Sequence, residues 1–168
     1  MTIYFFDTSA LQHRYFDSTY SRRVRRIISS SRSECFISDI TVLEIAGALA
    51  KICRRNSQQI HDYDGIKHYD KADQLFWKDV SNEKLKVQLT TNRDVVAARN
   101  LLRFAGLFKN RDLGSADALI AVCSRAFALE RKQTIIFYTS DWKQYDICRK
   151  LDAFTAVLKL RFLGTPRN

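Results

Sequence analysis

Four short stretches of the chain each carry one acid: FFDTSAL with Asp7, ITVLEIAGAL with Glu44, LGSADALIAVC with Asp117, and YTSDWK with Asp141. Each acid has an ordinary explanation. Asp7 and Asp141 follow strand-like runs and suit helix N-caps. Thr41-x-x-Glu44 has the form of a capping box in the first turn of a helix. Asp117, two residues after Ser115, complements a helix dipole. The chemical explanation takes the four together. Two carboxylates about 5 Å apart repel by roughly 3 kcal/mol at an effective dielectric near 20. A cluster of them therefore either holds protons at raised pKa or holds a cation. Oxygen ligands without a nearby Cys or His favour Mg²⁺ or Mn²⁺ over zinc. Such an ion ionises a bound water for attack on phosphorus and neutralises charge developing on the phosphate.

That chemistry requires elements that bring the four acids to one place. Apolar runs at Ile3–Phe6, Cys35–Ile37 and Thr134–Tyr138 read as buried strands, Lys84–Leu89 as a half-exposed strand, and Phe154–Leu158 as a last strand. Between them, helical patterns run over Ser18–Ser30, Thr41–Arg55, Gln58–Asn82, Asn92–Ala105, Ser115–Glu130 and Asp141–Lys150, with Gly106 and Gly114 marking a loop. Alternating strands and helices predict an α/β fold with a parallel sheet covered on both faces. All four acids then fall at strand C-termini or helix N-termini, where open α/β sheets form their binding crevice. No repeat or boundary divides the chain, so residues 1–168 read as one domain, with 56–82 as an insertion-like helical region.

The chain has 168 residues, 46% hydrophobic, with one proline and five glycines, which excludes disorder and collagen-like structure. No apolar run approaches the length of a membrane span, and the N-terminus has no signal-peptide pattern. Cys35, Cys53, Cys123 and Cys148 are scattered, as buried thiols of the cytoplasm would be. His61 and His68 lack partners for a zinc set and read as surface residues. The net charge of +10 attracts nucleic acid. Arg22, Arg23, Arg25 and Arg26 are candidates for contact with the phosphates of a nucleic acid, or a solvated face of a helix whose apolar stripe is Val24, Ile27 and Ile28.

In order and spacing, the four acidic stretches resemble the PIN-domain nucleases, in particular the VapC-type toxins of type II toxin–antitoxin pairs; SADALIA is the most characteristic piece. The resemblance runs from Ile3 to about Leu158. It implies a three-layer sandwich on a five-stranded parallel sheet in the order 3-2-1-4-5. It further implies a Mg²⁺- or Mn²⁺-dependent endoribonuclease, a homodimer, and a cognate antitoxin. Asp7, Glu44, Asp117 and Asp141 are then the metal-holding catalytic acids, supported by the hydroxyls of Thr8, Ser9, Thr139 and Ser140. Trp142 and Lys143 stand where a second acid is often found, and Asp146 is a lower-ranked alternative to Asp141 as the fourth acid. Leu49, Ile52, Ile66 and Leu75 are candidates for an antitoxin groove, or for core. Two alternatives keep the α/β frame: an inert binding module with the same fold, and a receiver-like phosphoacceptor domain. The latter wants an acidic pair before the first helix, which is missing here.

Overall fold

Strands buried on both faces need no polar alternation, and the run Ile-Tyr-Phe-Phe has none. The computed structural model describes residues 1–57, 62–109 and 113–164. In chain order the elements are β1 (Thr2–Phe6), α1 (Thr8–Leu11), a 3-10 turn (Gln12–Arg14), α2 (Ser21–Ile28), β2 (Ser33–Ser38), α3 (Asp39–Ser57), α4 (Asp62–Ser81), β3 (Lys86–Gln88), α5 (Asn92–Lys109), α6 (Ser115–Arg131), β4 (Ile135–Thr139), α7 (Trp142–Arg149), α8 (Asp152–Thr155) and β5 (Leu158–Phe162). The strands form one parallel sheet in the order β3-β2-β1-β4-β5. This is the order that the family resemblance implies. The period-2 alternation of each strand then builds two cores. Ile3 and Phe5 of β1 and Ile135 and Phe137 of β4 pack with α5 to α8 on one face. Phe6 and Tyr138 point the other way and pack with α1 to α4, their rings stacked at 5.5 Å. Helices on both faces of the sheet make three layers.

Several boundaries differ from the sequence expectation, each for a visible reason. The last strand is not Phe154–Leu158 but Leu158–Phe162; Phe154 is buried from the short helix α8 instead. The sequence LKLRF alternates, as an edge strand with one wet face should. The other edge strand, β3, keeps only three of its expected residues. Residues 83–85 are used to end α4: the N–H groups of Lys84 and Leu85 both donate to the Asp79 carbonyl, and Glu83 takes a left-handed φ of 55°. Gly106 does not open a loop; α5 runs through it to Lys109, and a Cβ there would meet nothing within 4 Å. α4 places Ala72 and Phe76 in the core. His61 lies outside the described residues; His68 is exposed. The four cysteines are free and buried. Among the described residues no helix is long and apolar enough to cross a membrane.

A buried ion pair pins the 3-10 turn to α4. Arg14 donates Nε and Nη2 to the two oxygens of Asp79 at 2.8 and 3.1 Å, and Asp79 is 1% exposed. This fork is the bidentate geometry that makes arginine–carboxylate pairs strong. Removing one partner leaves a buried charge uncompensated, so Asp79→Ala should lower the unfolding free energy by about 3 kcal/mol. Urea denaturation checks it; a loss below about 1 kcal/mol would show that the pair does not hold these elements together.

Candidate active site

β1 and β4 lie side by side at the centre of the sheet, and the chain leaves them towards opposite edges. This is the point where strand order reverses and a crevice opens beyond the strand ends. Asp7 stands there, 1% exposed, with its N–H on the Tyr138 carbonyl at 2.9 Å. Its carboxylate is served on one side only. Oδ2 accepts from the Ser9 N–H at 3.2 Å, from the Ser9 hydroxyl, and from Thr139 Oγ1 at 3.0 Å. Oδ1 is buried with no partner. A bare anionic oxygen in a dry site is costly. Burial first, and the charge of Glu44 as a lesser cause, push the Asp7 carboxyl up from 3.8 to about 6, against the lowering pull of Ser9 and Thr139. As the N-cap reading expects, Asp7 does cap α1 through Ser9, but one oxygen carries that job alone.

Glu44 does not close a capping box. α3 begins at Asp39, so Glu44 lies beyond its first turn. The Thr41 N–H goes to Ser38 Oγ at 3.1 Å, and the Glu44 carboxylate accepts from Thr8 Oγ1 at 2.8 Å. Asp117 sits in the first turn of α6. Its carboxyl is pushed up to about 7, by burial first and then by the charges of Asp7, Asp141 and Glu44. The four acids are thus close enough to raise the proton affinity of one of them. Asp141 caps α7 by accepting from the Gln144 N–H at 2.9 Å, and its own N–H donates to Thr139 Oγ1. Asp146 points elsewhere, into ion pairs with Arg149 at 2.9 Å and Lys150 at 2.6 Å. Burial alone would raise its pKa, but the hydrogen bonds from Lys150 and Arg149 outweigh that and hold it low. Ser140 donates its N–H to Ser9 Oγ, and its hydroxyl meets His13 Nε2 at 3.1 Å.

A cleft of about 410 Å³ opens beside these acids, with Thr8, Ser9, Glu44 and Asp117 at one end and Gly47, Lys51 and Arg55 on α3. None of Arg22, Arg23, Arg25 or Arg26 lines it, and Arg25 is engaged by the Arg14 carbonyl and Asp17. Of the groove candidates, Leu49 and Leu75 belong to the core, Ile52 lines the cleft, and Ile66 is exposed. Gln144 has no signal in the sequence, and Gly114 reads there only as loop punctuation. The Gln144 amide donates to the Asp117 carbonyl at 2.7 Å and ties α7 to α6. Gly114 has φ −64° and ψ 146°, open to any residue, yet a Cβ there would lie 2.6 Å from Asp117 Oδ2. Glycine is needed for space, and its place three residues before an acid at a helix start was the available signal.

Among the described residues no three acidic, histidine or cysteine side chains stand in ready-made ligating geometry. The donor set nevertheless fits a hard divalent cation: carboxylates only, one with a bare buried oxygen, and no cysteine or histidine among them.

Two outcomes follow. Gly114→Ala should displace the Asp117 carboxylate, lowering any metal-dependent activity by about tenfold or more while the thermal midpoint stays within a few degrees. Without metal, acids with raised pKa make the folded chain hold more protons than the unfolded one between about pH 4 and 7. Stability therefore falls as pH rises through that window. In EDTA the protein should be about 2 kcal/mol less stable at pH 8 than at pH 5. His13, which burial holds below its ordinary value, works the other way. The comparison is therefore made against Asp7→Asn/Asp117→Asn, in which the loss should vanish. Urea melts at the two pH values decide it.

The PIN domain family matches residues 4–150. No curated protein matches the sequence. Among solved structures, a chain of the VapBC2 complex from Rickettsia felis, solved bound to a DNA fragment from their promoter, is 15% identical. It aligns over 95% of this chain and 98% of its own, with a TM-score of 0.56. A chain of the DNA-bound VapBC complex from Salmonella typhimurium is 15% identical over 87% and 92%, also at 0.56. A chain of the FitAcB complex from Neisseria gonorrhoeae is 13% identical over 86% and 91%, at 0.58. These similarities are of fold.

Proposed function

The chain belongs to the PIN domain family, and on that footing we propose that it is a metal-dependent endoribonuclease, the VapC-type toxin of a toxin–antitoxin pair. The observation that carries the reading is the half-served carboxylate of Asp7. Three donors fill one oxygen, the other is buried and bare, and three more acids crowd the same strand ends. Asp7, Glu44, Asp117 and Asp141 would hold Mg²⁺ or Mn²⁺. When bound, such an ion supplies Lewis acidity at phosphorus and ionises water near neutral pH.

The chain's own residues do the rest. Ser9 and Thr139 fix the Asp7 carboxylate so that Oδ1 faces away from its protein donors, and Thr8 holds Glu44 by one oxygen. The Asp141 cap and the Gln144 bridge keep α7 and α6 in register, and with them Asp141 and Asp117. The surplus of 28 lysines and arginines over 18 acids draws a polyanion towards a cleft that is itself acidic at one end. The buried free thiols fit a reducing cytoplasm. The fold is shared with chains of VapBC complexes, and an antitoxin is the corresponding partner here. Its inhibition would follow from an arginine or lysine offered to the same four acids. A homodimer completes the proposed assembly.

Purified protein should cut single-stranded RNA with Mn²⁺ or Mg²⁺ and stop in EDTA. Asp7→Asn and Asp117→Asn should each lower the rate by about 100-fold or more, since an amide cannot replace the charge a metal needs. Gel analysis of end-labelled RNA reads the outcome. Cleavage that survives EDTA or both substitutions would sink the assignment.

A further inference from the structure

The cleft wall contributed by α3 has a charge order and a gap that the acids alone do not explain. Glu44, Gly47, Ala48, Lys51, Ile52 and Arg55 line it, recurring at the spacing of one helix face. Gly47 lies in the helix interior, where glycine is the poorest choice after proline. It has no positive φ, and a Cβ there would meet nothing within 4 Å. Neither torsion nor packing within the chain asks for glycine. Gly106 is equally open but is not among the residues that line this cleft. The informative feature is an open helical glycine in the cleft wall, where a ligand can approach the backbone. Lys51 and Arg55 are exposed, and neither is in an ion pair among the described residues. Along α3 they lie about 10 and 16 Å from Glu44, the rise of about three and five stacked nucleotides.

We infer that this α3 wall is the track of the RNA strand beside the scissile bond, with Gly47 leaving room for its sugar–phosphate backbone and Lys51 and Arg55 contacting its phosphates. The inference rests on the nuclease reading and names the path that reading lacks. Charge selects the occupant. Two cations with no ion pair among the described residues, at one end of a cleft whose other end is acidic, suit a polyanion that must reach a metal. A docked protein helix would want an apolar stripe, and this wall offers only Ala48 and Ile52. Contacts of this kind go to the backbone, so the track should be indifferent to base sequence.

The test is equilibrium binding of a labelled, mixed-sequence single-stranded RNA to the full chain carrying Asp117→Asn, in EDTA, so that no cleavage contributes. Adding Lys51→Ala and Arg55→Ala should weaken binding about tenfold and flatten the plot of log affinity against log salt by about 1.4, two phosphate contacts' worth. Adding Gly47→Leu should also weaken binding about tenfold while the thermal midpoint holds or rises, because leucine is the better helix former. Arg22→Ala/Arg26→Ala on α2 serves as the comparison. If the chain binds RNA and only the α2 change alters affinity and salt slope, the track is wrong and the nuclease reading stands. If the α3 changes spare RNA binding but abolish co-purification of a small partner from the native operon, the wall is a protein-docking face and the inference is overturned. If the unsubstituted chain neither binds nor cuts RNA, the nuclease reading fails and the track fails with it.

Discussion

Like charges do not gather beyond the ends of central strands unless something holds them there, and here the backbone does the holding. Asp7 is fixed by the β1–β4 ladder, which continues into its own N–H, and by donors that all fall on one oxygen. Glu44 is carried by a long helix whose start is fixed by Ser38, and Asp117 and Asp141 by helices joined through Gln144. The repulsion falls on rigid elements with large buried apolar faces. Those faces stabilise the fold by far more than a few kcal/mol of crowding costs. The site is strained electrostatically, and the divalent ion proposed for it would relieve that strain.

Much of this was legible in sequence because the central strands and long helices follow simple periods. FFD and YTSD each combine an apolar run with an abrupt polar stop, and the stop is where a central strand ends, while SADALIA puts its acid in the first turn of α6. What the pattern could not carry was competition between partners. Thr41-x-x-Glu44 has the spacing of a capping box, but Ser38 lies three residues before Thr41 and takes its N–H first, which frees Glu44 for Thr8. The final strand was displaced because Phe154 is apolar whether it is buried from a helix or from a strand, and only the alternation of LKLRF separates the two. Gln144 was silent because its contact with Asp117 spans 27 residues and depends on the packing of two helices. Gly114 looked like punctuation, and its role appears only once the Asp117 oxygen is placed beside it.

The helix α3 shows how one element serves packing and chemistry at once. Ile45 and Leu49 face the core at 1% and 0% exposure, while Glu44, Gly47, Lys51 and Arg55 face the cleft. Because 3.6 residues make a turn, the two stripes never compete for a position. Core changes on this helix would therefore be felt as stability, and cleft changes as chemistry.

The outer strands of the sheet have a consequence for assembly. β3 is only three residues long, with Lys86 paired to Glu34 at 2.7 Å, and β5 turns Lys159 and Arg161 to solvent. Both margins of the sheet are thus short or cationic, the two devices that stop a free strand edge from recruiting another chain. Margins of this kind disfavour a continuous sheet across two copies of the molecule and the edge-to-edge stacking that leads to fibres.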